Sequence, residues 1–205
     1  MERLAVIDFE TTGMSPNDGA RATEIGIALL EGGKIVDRYQ GLMNAGVRIP
    51  SFIEELTGIS NAMIRQAPPA AEVMREAAAF VGDCPLVAHN ASFDSKFWDA
   101  ELMRIGLRRQ QEFACSMLLS RRIFPSAPSH KLSTLIRYAE LPVTGAFHRA
   151  LADAEMTAHL LACLSGELCR SYRLDTVPHE LLCRIQRTPK QKLAQCIEAY
   201  RGLPA

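Results

Sequence analysis

Apolar runs of strand length alternate along the chain with amphipathic stripes at helical spacing. In the opening run, Leu4-Ala5-Val6-Ile7-Asp8-Phe9-Glu10, apolar residues cover both faces of the pleat, the pattern of a strand buried in the middle of a sheet. Residues 23–31 read as a second strand, Gly32-Gly33 as a tight turn and residues 34–44 as a third strand, which together make a hairpin. Ser51 opens a short helix through Leu56, and Ser60 caps another through Arg65. Pro68-Pro69 starts a longer helix with Val73, Ala77, Phe80 and Val81 on one stripe. Residues 85–89 form a short apolar strand, and the helix after it repeats Phe97, Trp98, Leu102 and Ile105 until Gly106 stops it. A last short strand is predicted at Phe113-Ala114-Cys115, then a helix from a Ser116 cap through Phe124, and a helix over 131–139. After a loop through Gly145, a helix carrying Ala154, Ala158 and Leu161 on one side runs to about residue 165. Two short helical patterns follow, over 178–185 and 189–200, where Lys and Arg outnumber Asp and Glu.

A length of 205 residues suits one domain, or one domain with an appendage. The 48% apolar and 22% charged content is ordinary globular usage, enough for a sizeable core. No stretch approaches the roughly twenty apolar residues that span a bilayer. Met1-Glu2-Arg3 runs straight into the first strand, which leaves no room for a signal peptide. The six cysteines (84, 115, 163, 169, 183 and 196) form no C-x-x-C pair. That pattern argues against a zinc site and a disulfide framework, and for small core fillers in a reduced, cytoplasmic setting. Net charge is zero, so charge does not predict non-specific duplex binding through many phosphate contacts. A protein gripping a few nucleotides through metal ions escapes that requirement.

The chemistry begins at the end of the first strand. Asp8 and Glu10 are two apart, so both carboxylates project to one face. Together they repel and resist desolvation unless a positive charge sits between them. By itself the pair also fits a solvated strand end. Asp94 follows a short apolar strand as Asp8 does, which puts both at one edge of a sheet. His148 and Asp153 are five apart, roughly 140° on a continuous helix. They converge only if His148 stands on the loop before the helix. Four carboxylates in one place call for divalent cations, and oxygen ligation without cysteine suits Mg²⁺ or Mn²⁺ rather than zinc.

Three stretches, Asp8-Phe9-Glu10-Thr11-Thr12-Gly13, His89-Asn90-Ala91-Ser92-Phe93-Asp94 and His148-Arg149-Ala150-Leu151-Ala152-Asp153, resemble the exonuclease motifs of the DnaQ-like DEDDh family, 3′–5′ exonucleases related to the proofreading subunit of bacterial DNA polymerase III. The resemblance covers about residues 1–166 as the exonuclease domain and leaves residues 167–205 as a short helical extension. It implies an α/β, ribonuclease H-like fold, a mixed five-stranded sheet with helices on both sides. By the same resemblance Asp8, Glu10 and Asp153 hold one divalent ion, Asp8 with Asp94 a second, and His148 is the general base. Leu56-Thr57-Gly58-Ile59 resembles the family's loop against the terminal nucleotide. The substrate-facing set it implies is Thr11, Thr12, Gly13, Met14, Thr57, Gly58, Ile59, Asn90 and Phe93. Phe93 is also read, with Trp98, as core. His89 reads as structural; His130, His159 and His179 as surface or packing; and Arg104, Arg108, Arg109, Arg121 and Arg122 as solvated faces.

The expected activity is release of nucleoside 5′-monophosphates from single-stranded or frayed 3′ ends, with DNA favoured and a DNA polymerase as the candidate partner. Trimming of RNA 3′ ends is the alternative, and a catalytically silent polymerase-docking module a further one. The intact acid set and His148 speak against the silent module. The absence of a Q-x-x-L-x-L-F clamp peptide in the C-terminal part weakens a dedicated replicative role. The extension's apolar stripes predict packing on the domain, and its Lys and Arg predict added grip on longer strands.

Overall fold

The computed structural model describes residues 2–202. Strands β1 (Arg3–Thr11), β2 (Ala22–Glu31), β3 (Lys34–Leu42), β4 (Leu86–Ala88) and β5 (Phe113–Cys115) form one sheet in the order β3-β2-β1-β4-β5. β1, β2 and β3 are successively antiparallel, and β4 and β5 run parallel to β1. The helices are α1 (Ser51–Thr57), α2 (Asn61–Gln66), α3 (Ala70–Val81), α4 (Ala91–Arg104), α5 (Ser116–Ile123), α6 (Leu132–Tyr138), α7 (Ala150–Tyr172), α8 (His179–Arg187) and α9 (Leu193–Arg201). No helix among the described residues is long and apolar enough to cross a membrane, and all six cysteines are free.

β1 is central, and alternation along it sorts its side chains between two cores. Leu4 and Val6 join Ala28, Leu30 and Val87 beneath α5 to α9, while Ala5, Ile7 and Phe9 join Ile25, Ile27 and Leu86 beneath α3 and α4. Asp8 and Glu10 share the parity of Val6 and therefore project towards the α7 side.

The chain departs from its local pattern in two places and follows it in a third. Ser116 is the first residue of α5 rather than its cap, and its hydroxyl meets His89 Nδ1 at 2.8 Å. The long helix does not stop near Ser165; α7 passes through Gly166 to Tyr172 because Leu160, Leu161, Leu164 and Leu168 keep one apolar stripe in the core. A helical glycine costs about 1 kcal/mol against alanine, which that burial offsets. Finally, α8 and α9 are core elements. Leu181, Leu182, Ile185 and Ile197 are wholly buried, and the His179 Nε2–H donates to the Leu86 carbonyl at 2.9 Å.

Gln186 of α8 closes the β5 edge of the sheet. The Cys115 N–H donates to its Oε1 at 2.6 Å and its Nε2–H donates to the Phe113 carbonyl at 3.0 Å, so a side-chain amide stands where another strand would pair. Four of the segment's cations stand beside acids at the surface. Arg170, Arg184, Arg187 and Arg201 face Glu167, Glu180, Glu112 and Glu198.

Candidate active site

The end of β1, the start of α4 and the loop into α7 meet around a cleft of about 380 Å³ lined by Asp8, Glu10, Asp94, His148 and Asp153. Asn90 takes a left-handed φ of 68°, a conformation asparagine tolerates, and turns the chain from β4 into α4. This turn buries Asp94, whose Oδ1 accepts the Phe9 N–H at 3.2 Å and ties α4 to β1. His148 stands on the loop before α7, exposed, with φ 65°, and its backbone N–H donates to Asp153 Oδ2 at 3.1 Å. The five-residue spacing converges because the buried Asp153 reaches back from the first turn of α7. One ligand atom each of Glu10, His148 and Asp153 lie within 4.8 Å of one another. Asp8 and Asp94 share the cleft outside that tight triplet.

The four acids lack sufficient counter-charge. Burial, then the charges of Asp94, Asp153 and Glu10, hold the Asp8 carboxyl well above the usual carboxylate range. Burial and the Asp153 charge push Glu10 up to about 8, with Arg149 opposing weakly. Burial also pushes Asp94 up to about 8 against the pull of the Phe9 N–H, and raises Asp153 against the pull of the His148 N–H. Asp153 Oδ1 is buried without a hydrogen-bond partner. An orphaned carboxylate oxygen among mutually repelling acids suits divalent cations, with Asp8, Glu10, Asp94 and Asp153 as the donors.

The sequence matches the profile of the RNase T exonuclease family over residues 5–161. The chain belongs to that family. Relatives include the PolC-type DNA polymerase III of Halalkalibacterium halodurans, 36% identical over 159 residues, and the 3′-5′ exonuclease DinG of Bacillus subtilis, 38% identical over 157 residues. These alignments take in 77% and 76% of this chain but only 11% and 17% of those much longer proteins. Among solved structures, Exonuclease X in complex with 5′ overhanging duplex DNA superposes with a TM-score of 0.68 at 27% identity, over 91% of this chain and 99% of that one. The nuclease domain of 3′hExo, a DEDDh family member bound to rAMP, has the same fold, with a TM-score of 0.71 at 18% identity over 82% of this chain and 94% of its own. The mixed sheet and its helices are thus the ribonuclease H-like fold of DEDDh exonucleases. Asp8, Glu10, Asp94, His148 and Asp153 all lie within the matched stretch.

The other expected site residues divide. Thr11, Gly13, Met14, Thr57, Asn90 and Phe93 line the cleft. Met14 is 78% exposed at its rim, and Phe93 packs its ring 5.0 Å from that of Phe97, so it belongs to both core and cleft. Thr12 Oγ1 instead accepts the Arg21 N–H at 3.0 Å, and Gly58 is the left-handed cap of α1. Ile59 is fully buried with Ile49 and Ile64 and offers no surface to a base. Ile53 and Leu56 of α1 form the apolar wall in its place. Both lie in the same helix–turn, and only the tertiary packing decides which of its residues faces outward.

Sequence reasoning missed Glu24. This glutamate lies on β2 opposite Glu10 and is wholly buried. It accepts from Arg149 Nη2 at 2.8 Å, from the Ala150 N–H at 3.0 Å and from Gln40 Nε2 at 2.8 Å. Two residues on, a β-carbon at Gly26 would overlap the Ala150 backbone, so the glycine lets α7 press onto β2. Together they fix the loop that carries His148. The available signal was a charged residue inside the otherwise apolar run 22–30. Glu24→Ala should cost about 1–3 kcal/mol of stability, because it leaves the buried Ala150 N–H without its partner while the half-exposed Arg149 turns to water. Glu24→Gln should fold and lose about 10²-fold in turnover through displacement of His148. Thermal unfolding and single-turnover rates check this, and full turnover in Glu24→Gln would show that the clamp does not position the loop.

Proposed function

We propose that this chain is a divalent-metal-dependent 3′–5′ exonuclease that releases nucleoside 5′-monophosphates from single-stranded or frayed DNA 3′ ends. The observation that carries the reading is the convergence of Glu10, His148 and Asp153 beside Asp8 and Asp94 in a cleft with an apolar wall of Met14, Leu56 and Phe93. That wall suits a terminal nucleotide, whose base has an apolar face. Two ions, Mg²⁺ or Mn²⁺, held by Asp8, Glu10 and Asp153 and by Asp8 with Asp94, would supply the charge that stabilises the attacking and leaving oxygens of a displacement at phosphorus. His148 faces the cleft and takes the proton of the attacking water on its imidazole. Asp153 holds the His148 backbone through the 3.1 Å hydrogen bond, and the Glu24–Arg149 pair holds the same loop from the β2 side.

DNA is favoured because the relatives at 34–38% identity are named as DNA polymerase III PolC-type and DinG, and Exonuclease X was solved on duplex DNA. The PolC-type relatives also make a DNA polymerase the partner to test. A reduced, cytoplasmic setting accords with six free cysteines. The test is 5′-labelled single-stranded DNA, paired and mispaired duplex ends and single-stranded RNA, with and without Mg²⁺ or Mn²⁺. Stepwise shortening of DNA from the 3′ end is expected. Preference for RNA would replace the DNA reading, and no hydrolysis of any strand would leave a docking module. His148→Ala should lower the rate about 10²–10⁴-fold with strand binding retained, and the acid limb of its pH–rate profile should disappear. A surviving acid limb would assign the base elsewhere.

A further inference from the structure

Beside the catalytic cleft lies a second one of about 790 Å³, within the size range of about 300–1,000 Å³ usual for ligand sites. The two share His89, Asn90, His148 and Asp153. On one side of this shared group stand Met14, Leu56 and Phe93; on the other stand Arg121, from the end of α5, and Lys131, just before α6. The charge reverses across the boundary. Four acids line the catalytic cleft, whereas Asp153 is the only acid of the second.

Arg121 and Lys131 are exposed and, among the described residues, neither is paired with an acid. The adjacent Arg122 is committed elsewhere: it donates to the Thr188 and Leu118 carbonyls at 2.7 Å each. Arg121 has only the Met117 sulfur at 3.8 Å.

The wall holding Lys131 is built against the catalytic centre. A carbonyl can only accept, so His89 carries its proton on Nε2 and donates to the His130 carbonyl at 3.0 Å, while Nδ1 accepts from the Ser116 hydroxyl at 2.8 Å. Burial holds this imidazole down to about 4, so it is a neutral strut and adds no charge. His130 Nε2 in turn donates to the Phe124 carbonyl at 3.1 Å. The loop that leads into α6 is thereby pinned to the end of β4, one residue from Asn90.

We propose that the second cleft binds the phosphodiester backbone immediately 5′ of the scissile bond, with Arg121 and Lys131 as its phosphate contacts. This rests on the exonuclease reading and deepens it. A strand whose 3′ nucleotide lies against Met14 and Leu56 must leave past His148 and Asp153, and this cleft is the contiguous space with unpaired positive charge. It also explains how a chain of zero net charge holds an anionic strand: the cations are few but placed.

The test compares the parent with the Arg121→Gln/Lys131→Gln double variant on two substrates. The first is thymidine 5′-monophosphate p-nitrophenyl ester, which has one nucleotide and no upstream phosphate; the second is a long oligothymidylate. The loss in kcat/KM on the strand should exceed the loss on the ester by about tenfold per cation, carried by KM. The log–log salt slope of strand binding should become shallower by about 0.7 per cation. Strand affinity by fluorescence anisotropy needs no turnover, so it reads the cleft even if the parent hydrolyses neither substrate, an outcome that would count against the exonuclease reading alone. Equal losses on ester and strand, or an unchanged strand affinity and salt slope in the folded variant, overturns the proposal.

Discussion

Asp8→Asn should abolish hydrolysis, by roughly 10³-fold or more, and should melt at a higher temperature than the parent at pH 8 without divalent ions. Both effects come from one carboxylate. Asp8 is assigned to both ions, so its loss removes charge the displacement needs. In the metal-free protein the same group is buried among Asp94, Asp153 and Glu10 and held well above its ordinary range. Raised carboxyl groups contribute stability that is fully present below their unfolded pKa, near 4, and lost as pH rises through the folded value. Glu10 and Asp94 set that upper value at about 8. Metal-free parent should therefore lose melting temperature steadily from about pH 4 to pH 8, and millimolar Mg²⁺ or Mn²⁺ should restore it. Asp8→Asn should flatten the decline, with about 2–4 °C recovered per kcal/mol of repulsion relieved. Thermal scans across that pH range, with and without metal, check the sign. A variant that keeps normal turnover, or melts lower than the parent at pH 8, would remove Asp8 from the ion site.

A chain ending at Gly166 should fail to fold and should lose activity equally on short and long strands. The cut falls inside α7 and removes Leu168, α8 and α9. Leu181, Leu182, Ile185 and Ile197 are each fully buried in the core that also holds Leu4 and Val6. At roughly 1.5–3 kcal/mol per buried aliphatic side chain, these alone are worth about 6–12 kcal/mol, comparable with the whole stability of a domain, about 5–15 kcal/mol. The cut also orphans the Cys115 N–H and the Phe113 carbonyl that Gln186 satisfies. Circular dichroism and size-exclusion chromatography would show the loss. A folded product that handles short strands at full rate would return the segment to the strand-gripping role expected from its charge.

Local pattern determined a great deal of this protein. The apolar run from Leu4, the Gly32-Gly33 turn and the helical stripes around Val73 and Phe97 each specify their element by periodicity, because burial on one or two faces is written directly into side-chain spacing. Asp8 and Glu10 were legible as a pair because residues two apart on a strand share a face, whereas the set Asp8, Glu10, Asp94, His148 and Asp153 was gathered by the resemblance of three motifs, which spacing alone left open. Tertiary structure alone decided three things. It chose which residues of the Leu56–Ile59 stretch face the cleft, because burial of Ile59 depends on Ile49 and Ile64, which no local spacing reveals. It joined Glu24 to Arg149 across 125 positions, and Gly26 to Ala150, so that a loop histidine could meet a helical aspartate. And it carried the last segment, whose apolar stripes predicted only packing on the domain, into the core itself, because the length of α7 and the fit of Gln186 to the β5 edge depend on surfaces presented by distant parts of the chain.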